Sequence, residues 1–153
     1  MPKTPINADA SPQAIRESPQ LMSAKIAVES SASSMIVTDP RLPDNPIVSA
    51  NDAFCRLTGY SKAEILGRNC RFLQGPDTHA SAVKALSEAI EAGRPGIATL
   101  INYGRDGRPF LNCVQILPIR NEAGEPIFFV GSQFEVTPLE TIFPMSDGWS
   151  FED

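Results

Sequence analysis

Three stretches near the C-terminal end, "ATLINY", "FLNCVQILPI" and "PIFFVGSQFEV", carry side chains arranged with period two and are separated by two turn sequences. Period two is the mark of a strand, because successive side chains leave an extended backbone on opposite faces. Asp106-Gly107 sits between the first two stretches and is a favoured hairpin dipeptide, and "RNEAGE" supplies a second turn before the third. The chain is thereby committed to three long strands in hairpin sequence, and the rest of the fold has to be built around them.

Upstream, "SMIVTD" and "IVSA" read as two short strands separated by "RLPDNP", whose prolines forbid regular pairing. From residue 51 to 93 the signals are helical. "NDAFCRLTGY" offers Asn51 as a cap and places Phe54, Leu57 and Tyr60 near one face; "SKAEILG" carries a Ser61-x-x-Glu64 capping box and a closing Gly67. "DTHASAVKALSEAIEAG" is the clearest helix, with Val83, Leu86 and Ile90 three and four apart, Asp77 or Thr78 at its start and Gly93 at its end. An amphipathic helix is predicted over "LMSAKIAVES", beginning near residue 13 or 20 and ending at 30, and the proline-rich residues before it read as a loose arm. The order β-β, several short helices, one longer helix, β-β-β predicts an α+β domain with a five-stranded antiparallel sheet and helices on one face.

A chain of 153 residues is about one domain long. Its net charge of −5 and its lack of any Lys/Arg cluster argue against nucleic-acid binding. No run approaches the roughly 18 apolar residues of a membrane span, and the N-terminus has no apolar segment of the kind a secretory signal needs, so the expected location is the cytoplasm. Cys55, Cys70 and Cys113 are scattered without CxxC spacing, and His79 is the sole histidine, which argues against both a zinc site and a structural disulfide. A thiol enzyme using Cys70 would have only His79 as its base, with nothing to orient that base.

Side-chain parity groups Leu100 with Asn102, Asn112 with Val114 and Ile116, and Phe129 with Gly131 and Gln133. Each long strand thus contributes one amide to a common face. An amide donor or acceptor left unpaired on a covered face costs on the order of 1 to 3 kcal/mol. Three of them suggest a ligand with a polar, amide-like edge; the alternative is that they bond to one another, to backbone or to water. Gly131 favours the ligand, because a glycine inside a strand often marks the close approach of another group.

The segments "GRNCRFLQGPDT", "TDPRLPDNP", "LINYGRDG", "FLNC" and "FVGSQ" together resemble the LOV domains, the blue-light-sensing branch of the PAS family, over roughly residues 34 to 137. The resemblance implies a PAS fold holding flavin mononucleotide (FMN), with riboflavin as a partial alternative, between the sheet and the short helices. It implies a division into an N-terminal arm and cap helix (1–33), the sensory core (34–137) and a C-terminal tail (138–153). By motif position Cys70 is the photoreactive thiol beside ring carbon C4a. Arg71 meets the phosphate, and Asn45 and Gln74 bond the ribityl chain or phosphate. Asn102 and Asn112 bond the pyrimidine edge of the ring, Gln133 bonds its O4 and N5 side, and Ile36, Thr38, Val114 and Phe129 line the pocket.

These residue types suit those targets. The pyrimidine edge is an imide with alternating donors and acceptors, which an amide side chain matches, and a phosphate is matched by the guanidinium fork. The family mechanism implies a light-driven, reversible bond from the Cys70 sulfur to C4a, after which the Gln133 amide rotates and hydrogen bonding in the last strand changes. The alternative function is a flavin-based redox sensor without physiological photochemistry.

Two departures stand out: Ser87 where many members carry a second phosphate-binding arginine, with Lys84 as a substitute, and Val114 in place of a common aromatic. Residues 137–153 are too few for an output enzyme, so a sensory module is expected. The opposite parity of the long strands is also apolar (Ile101, Leu111, Cys113, Phe128, Val130, Phe134) and marks a docking face. A homodimer through this face or the flanking helices is the preferred reading; "LMSAKIAV" or the tail, with Phe143 and Trp149, could cover it instead.

Overall fold

A computed structural model of the chain describes residues 19–137. The proline-rich arm up to residue 18 and the tail 138–153 lie outside the described residues. In chain order the elements are α1 (Pro19–Ser30), β1 (Ser34–Thr38), β2 (Ile47–Ala50), α2 (Asp52–Thr58), α3 (Lys62–Ile65), a 3-10 turn (Cys70–Leu73), α4 (Ala80–Ala92), β3 (Gly96–Tyr103), β4 (Pro109–Arg120) and β5 (Pro126–Glu135).

The long strands form the predicted meander. β3 pairs with β4, Leu100 opposite Asn112, through a turn in which the Gly104 N–H donates to the Arg108 carbonyl at 2.9 Å. β4 pairs with β5, Val114 opposite Gln133 and Ile116 opposite Gly131. The free edge of β5 takes β1, which pairs with β2, so the antiparallel sheet has the order β2-β1-β5-β4-β3. The two short strands are thus attached to the far end of the meander, and β1 and β5, distant in sequence, become neighbours.

Helix ends follow local chemistry where nothing stronger competes. Asn51 caps α2 by accepting from the Phe54 N–H, and the Ser61/Glu64 capping box starts α3. Two expected ends differ. α3 closes at Leu66, and Gly67, at φ 88°, instead donates its N–H to the Ile47 carbonyl at 2.9 Å, tying the helix end to β2. α4 starts after His79 with no side-chain cap, because the expected caps are engaged elsewhere. The Thr78 hydroxyl donates to the Ile101 carbonyl at 2.6 Å, and Asp77 accepts from the Tyr103 hydroxyl at 3.2 Å. These residues pin the loop before α4 onto β3 instead of capping the helix.

Adjacent residues of β1 divide the molecule into two cores. Ile36 faces the short helices with Ile47, Ala50, Phe54, Ile65 and Leu73. Val37 faces the other way and packs, with Ile127 and Phe128, against Leu21, Ala24 and Val28 of α1. The N-terminal helix therefore covers the β1–β5 half of the outer face, while Ile97, Leu117 and Phe134 remain 64%, 49% and 50% exposed. Among the described residues no helix is long and apolar enough to cross a membrane.

Candidate functional site

The inner face of the sheet, the 3-10 turn and α4 enclose a cavity. All eleven residues singled out in the sequence line it: Ile36, Thr38, Asn45, Cys70, Arg71, Gln74, Asn102, Asn112, Val114, Phe129 and Gln133. The wall also includes residues that were not singled out as site residues: Phe54, Asn69, Leu73, Val83, Leu86, Ser87, Ile90, Leu100, Ile116 and Gly131. The apolar stripe of α4 explains itself here, since Val83, Leu86 and Ile90 are only half-buried and face the cavity instead of a closed core.

The amides are brought together as parity required, and part of their bonding is internal. The Asn112 Nδ2 donates to Asn102 Oδ1 at 2.8 Å, and Gln133 Oε1 accepts from the Ser34 hydroxyl at 2.9 Å. Ser34 was not anticipated, although it shares the parity of Ile36 and Thr38 and stands opposite Gln133 in the β1–β5 register. Self-pairing does not satisfy the set. Asn112 Oδ1 and Asn45 Oδ1 are buried with no hydrogen-bond partner, the only such side-chain atoms among the described residues, and both residues lie on this wall. Leaving such acceptors unmet costs about 1 to 3 kcal/mol each, so a cavity built this way suits a ligand carrying N–H or O–H donors. The wall is tight at Gly131: a Cβ there would stand 3.1 Å from Ile36 Cγ1 and 3.2 Å from Gln133 Nε2, so those side chains would have to shift slightly to admit one.

Cys70 opens the 3-10 turn, whose start is set by Asn69 accepting from the Arg71 N–H at 2.9 Å. Cys70 is half-buried on the cavity wall, and desolvation pushes its thiol pKa up to about 12 in spite of the neighbouring arginine. His79 is not among the residues that line the cavity with Cys70. Among the described residues there is no group of three or more His, Cys, Asp or Glu that could hold a metal ion.

Arg71 is the one cationic side chain on the wall among the described residues. Its two terminal nitrogens donate to the two carboxylate oxygens of Asp44, each at 2.6 Å. That bond holds the Asp44 carboxyl below the usual carboxylate range. Asp44 and Asn45 both adopt left-handed backbone, φ 67° and 45°, a conformation that Asp and Asn tolerate better than most residues. Ser87 reaches the cavity, whereas Lys84 lies off the wall and pairs with Glu88 at 3.8 Å on its own helix.

Comparison with known proteins adds an independent line. The PAS domain family matches residues 33–138. A blue-light-activated histidine kinase of Brucella anthropi is 49% identical over 111 residues, covering 72% of this chain and 23% of that protein. Phototropin-2 of Oryza sativa subsp. japonica is 45% identical over 113 residues, covering 74% of this chain and 12% of that protein. The chain thus spans less than a quarter of the length of these curated relatives. Among solved structures, the light state of the blue-light photoreceptor Aureochrome1 LOV aligns with TM-score 0.67 and 41% identity, covering 76% of this chain and 88% of that one. The Rhodobacter sphaeroides LOV protein aligns with TM-score 0.72 and 37% identity, covering 76% and 66%.

Proposed function

The chain belongs to the LOV branch of the PAS family, and on that premise we propose that it is a cytoplasmic blue-light sensor that holds FMN, with riboflavin as a partial alternative, in the cavity between sheet and short helices. The observation that carries this reading is the pair of buried, unpartnered acceptors, Asn45 Oδ1 and Asn112 Oδ1. Asn102 and Asn112 offer amides to the imide edge of a flavin ring, and Gln133 offers one to its O4 and N5 side. Asn45 and Gln74 take the ribityl hydroxyls, and Ile36, Thr38, Val114 and Phe129 give the ring an apolar seat. Bound flavin supplies absorption of blue light and a ring carbon, C4a, able to take the Cys70 sulfur reversibly.

Cys70 contributes a thiol that stays protonated, since burial raises its pKa to about 12. The ordinary route to thiol reactivity, a depressed pKa, is therefore not the one in use. Gln133 contributes an amide whose donor and acceptor ends exchange on rotation. β5 carries that change to Phe128 and Val130, which pack at the α1 side of the sheet. The part of the outer face that α1 leaves open, with Ile97, Leu117 and Phe134, suits a second copy of the chain.

The test is to purify the protein with flavin and illuminate it. Loss of the visible flavin band under blue light and its return in darkness are expected. A stable flavin complex that never bleaches would favour the redox-sensing alternative, and a protein that takes up no flavin would overturn both. A second expectation follows from the raised thiol pKa. Because the ordinary thiol value of about 8.5 is shifted upward, the fraction of protonated Cys70 does not change from about pH 6 to pH 9. The amplitude of light-induced bleaching should be flat across that window; an amplitude that climbs through pH 8 would point to a thiolate instead.

A further inference from the structure

We propose that Asp44 sets the selectivity of the cavity for the flavin side-chain terminus, making it nearly indifferent between riboflavin and its monophosphate; the proposal rests on the flavin reading above. A phosphate needs cationic donors, and Arg71 is the only Lys, Arg or His on the wall among the described residues. Its fork is already filled: Nη1 donates to Asp44 Oδ2 and Nη2 to Asp44 Oδ1, both at 2.6 Å. The other candidates add no charge, because Ser87 is neutral and Lys84 is turned to Glu88.

Asp44 is also held in place. Its carbonyl accepts from the Asn69 Nδ2 at 2.8 Å, its backbone is in the left-handed region, and Asn69 in turn sets the start of the turn that carries Cys70 and Arg71. The backbone of Asp44 is therefore anchored beside the turn that carries Arg71, within reach of its guanidinium. The pair is exposed, 58% for Arg71 and 60% for Asp44, so its own strength is small. What decides selectivity is the charge count: one positive and one negative group side by side give a dianionic phosphate little net attraction. An uncharged ribityl hydroxyl encounters no such conflict.

The experiment is a fluorescence-quenching titration of the flavin-free full chain with riboflavin and with FMN, for the natural sequence and for Asp44→Asn. The two dissociation constants of the natural chain are expected to lie within about tenfold of each other. Asp44→Asn should tighten FMN by roughly tenfold, the order expected from removing one like charge near the phosphate, and leave riboflavin unchanged. Asp44→Ser should act in the same direction and guards against an effect peculiar to asparagine. A natural chain that prefers FMN by more than a hundredfold, or variants that leave the ratio unmoved, would overturn the proposal while leaving the flavin reading intact. Binding of neither flavin would overturn both.

Discussion

Cys70→Ala is expected to remain yellow and to lose reversible bleaching under blue light completely. The substitution removes one sulfur atom from the cavity wall and leaves all the amides proposed to seat the ring, so flavin affinity should change by less than a few fold. Nor should folding suffer, since the thiol makes no hydrogen bond that holds other elements together, and a change of this size costs about 1 kcal/mol or less.

The other cysteines cannot take over. Cys55 packs at the edge of the inner core from α2 without reaching the cavity, and Cys113 has the opposite parity to Asn112 and Val114. Absorbance in the visible flavin band, before and after a blue pulse, reads the result directly. Bleaching of Cys70→Ala to the natural extent, with recovery in darkness, would show that the light response does not pass through this thiol.

Much of the inner wall was legible because its signal is local and periodic. Parity on β3, β4 and β5 needs only the alternation of side chains, and it brought Asn102, Asn112 and Gln133 to one face, where the cavity lies. What was not legible depends on pairings between distant segments. Ser34 is uninformative alone and gains meaning only when β1 docks on β5 and places it opposite Gln133. Thr78 has every local property of a cap, and loses that role to the Ile101 carbonyl 23 residues away. Asp44 reads as a turn residue of "LPDNP", and its grip on Arg71 appears only once the left-handed backbone at 44 and 45 has turned that loop toward the 3-10 turn.

The outer face shows the same limit in another form. Its apolar parity called for a cover, with a second copy of the chain preferred and "LMSAKIAV" or the tail as the alternative, but could not choose between them. α1 supplies it over β1 and β5, because Leu21, Ala24 and Val28 fit Val37, Ile127 and Phe128. The strip with Ile97, Leu117 and Phe134 lies beyond that contact.

Asn51→Ala is expected to be the most destabilising single polar substitution in the described part of the chain. The side chain is buried and serves three elements at once. Its Nδ2 donates to the Val28 carbonyl at 3.0 Å, in the last turns of α1, and to the Ser33 carbonyl at 2.7 Å, just before β1. Its Oδ1 accepts from the Met35 N–H at 3.1 Å and from the Phe54 N–H at 3.0 Å, which is also the cap of α2. Alanine leaves these backbone groups without their partner, and at about 1 kcal/mol for each, the total loss is about 3 to 4 kcal/mol. For a chain of this size that corresponds to a fall in melting temperature of roughly 10 °C.

Asn51→Asp separates the two roles. A carboxylate still accepts from Met35 and Phe54, yet it donates nothing to Val28 or Ser33 and places negative charge beside both carbonyls. The α2 cap and the cavity should survive, while α1 is released from the outer face. Faster hydrogen exchange confined to residues 19–30, with flavin binding retained, is the expected pattern. Melting of Asn51→Ala within about 3 °C of the natural chain would mean that the apolar contact of Leu21, Ala24 and Val28 holds α1 without this tie. The node joins the helix lying behind β5 to the strand that forms one wall of the cavity, so its loss should also uncouple any light-driven change at Gln133 from α1.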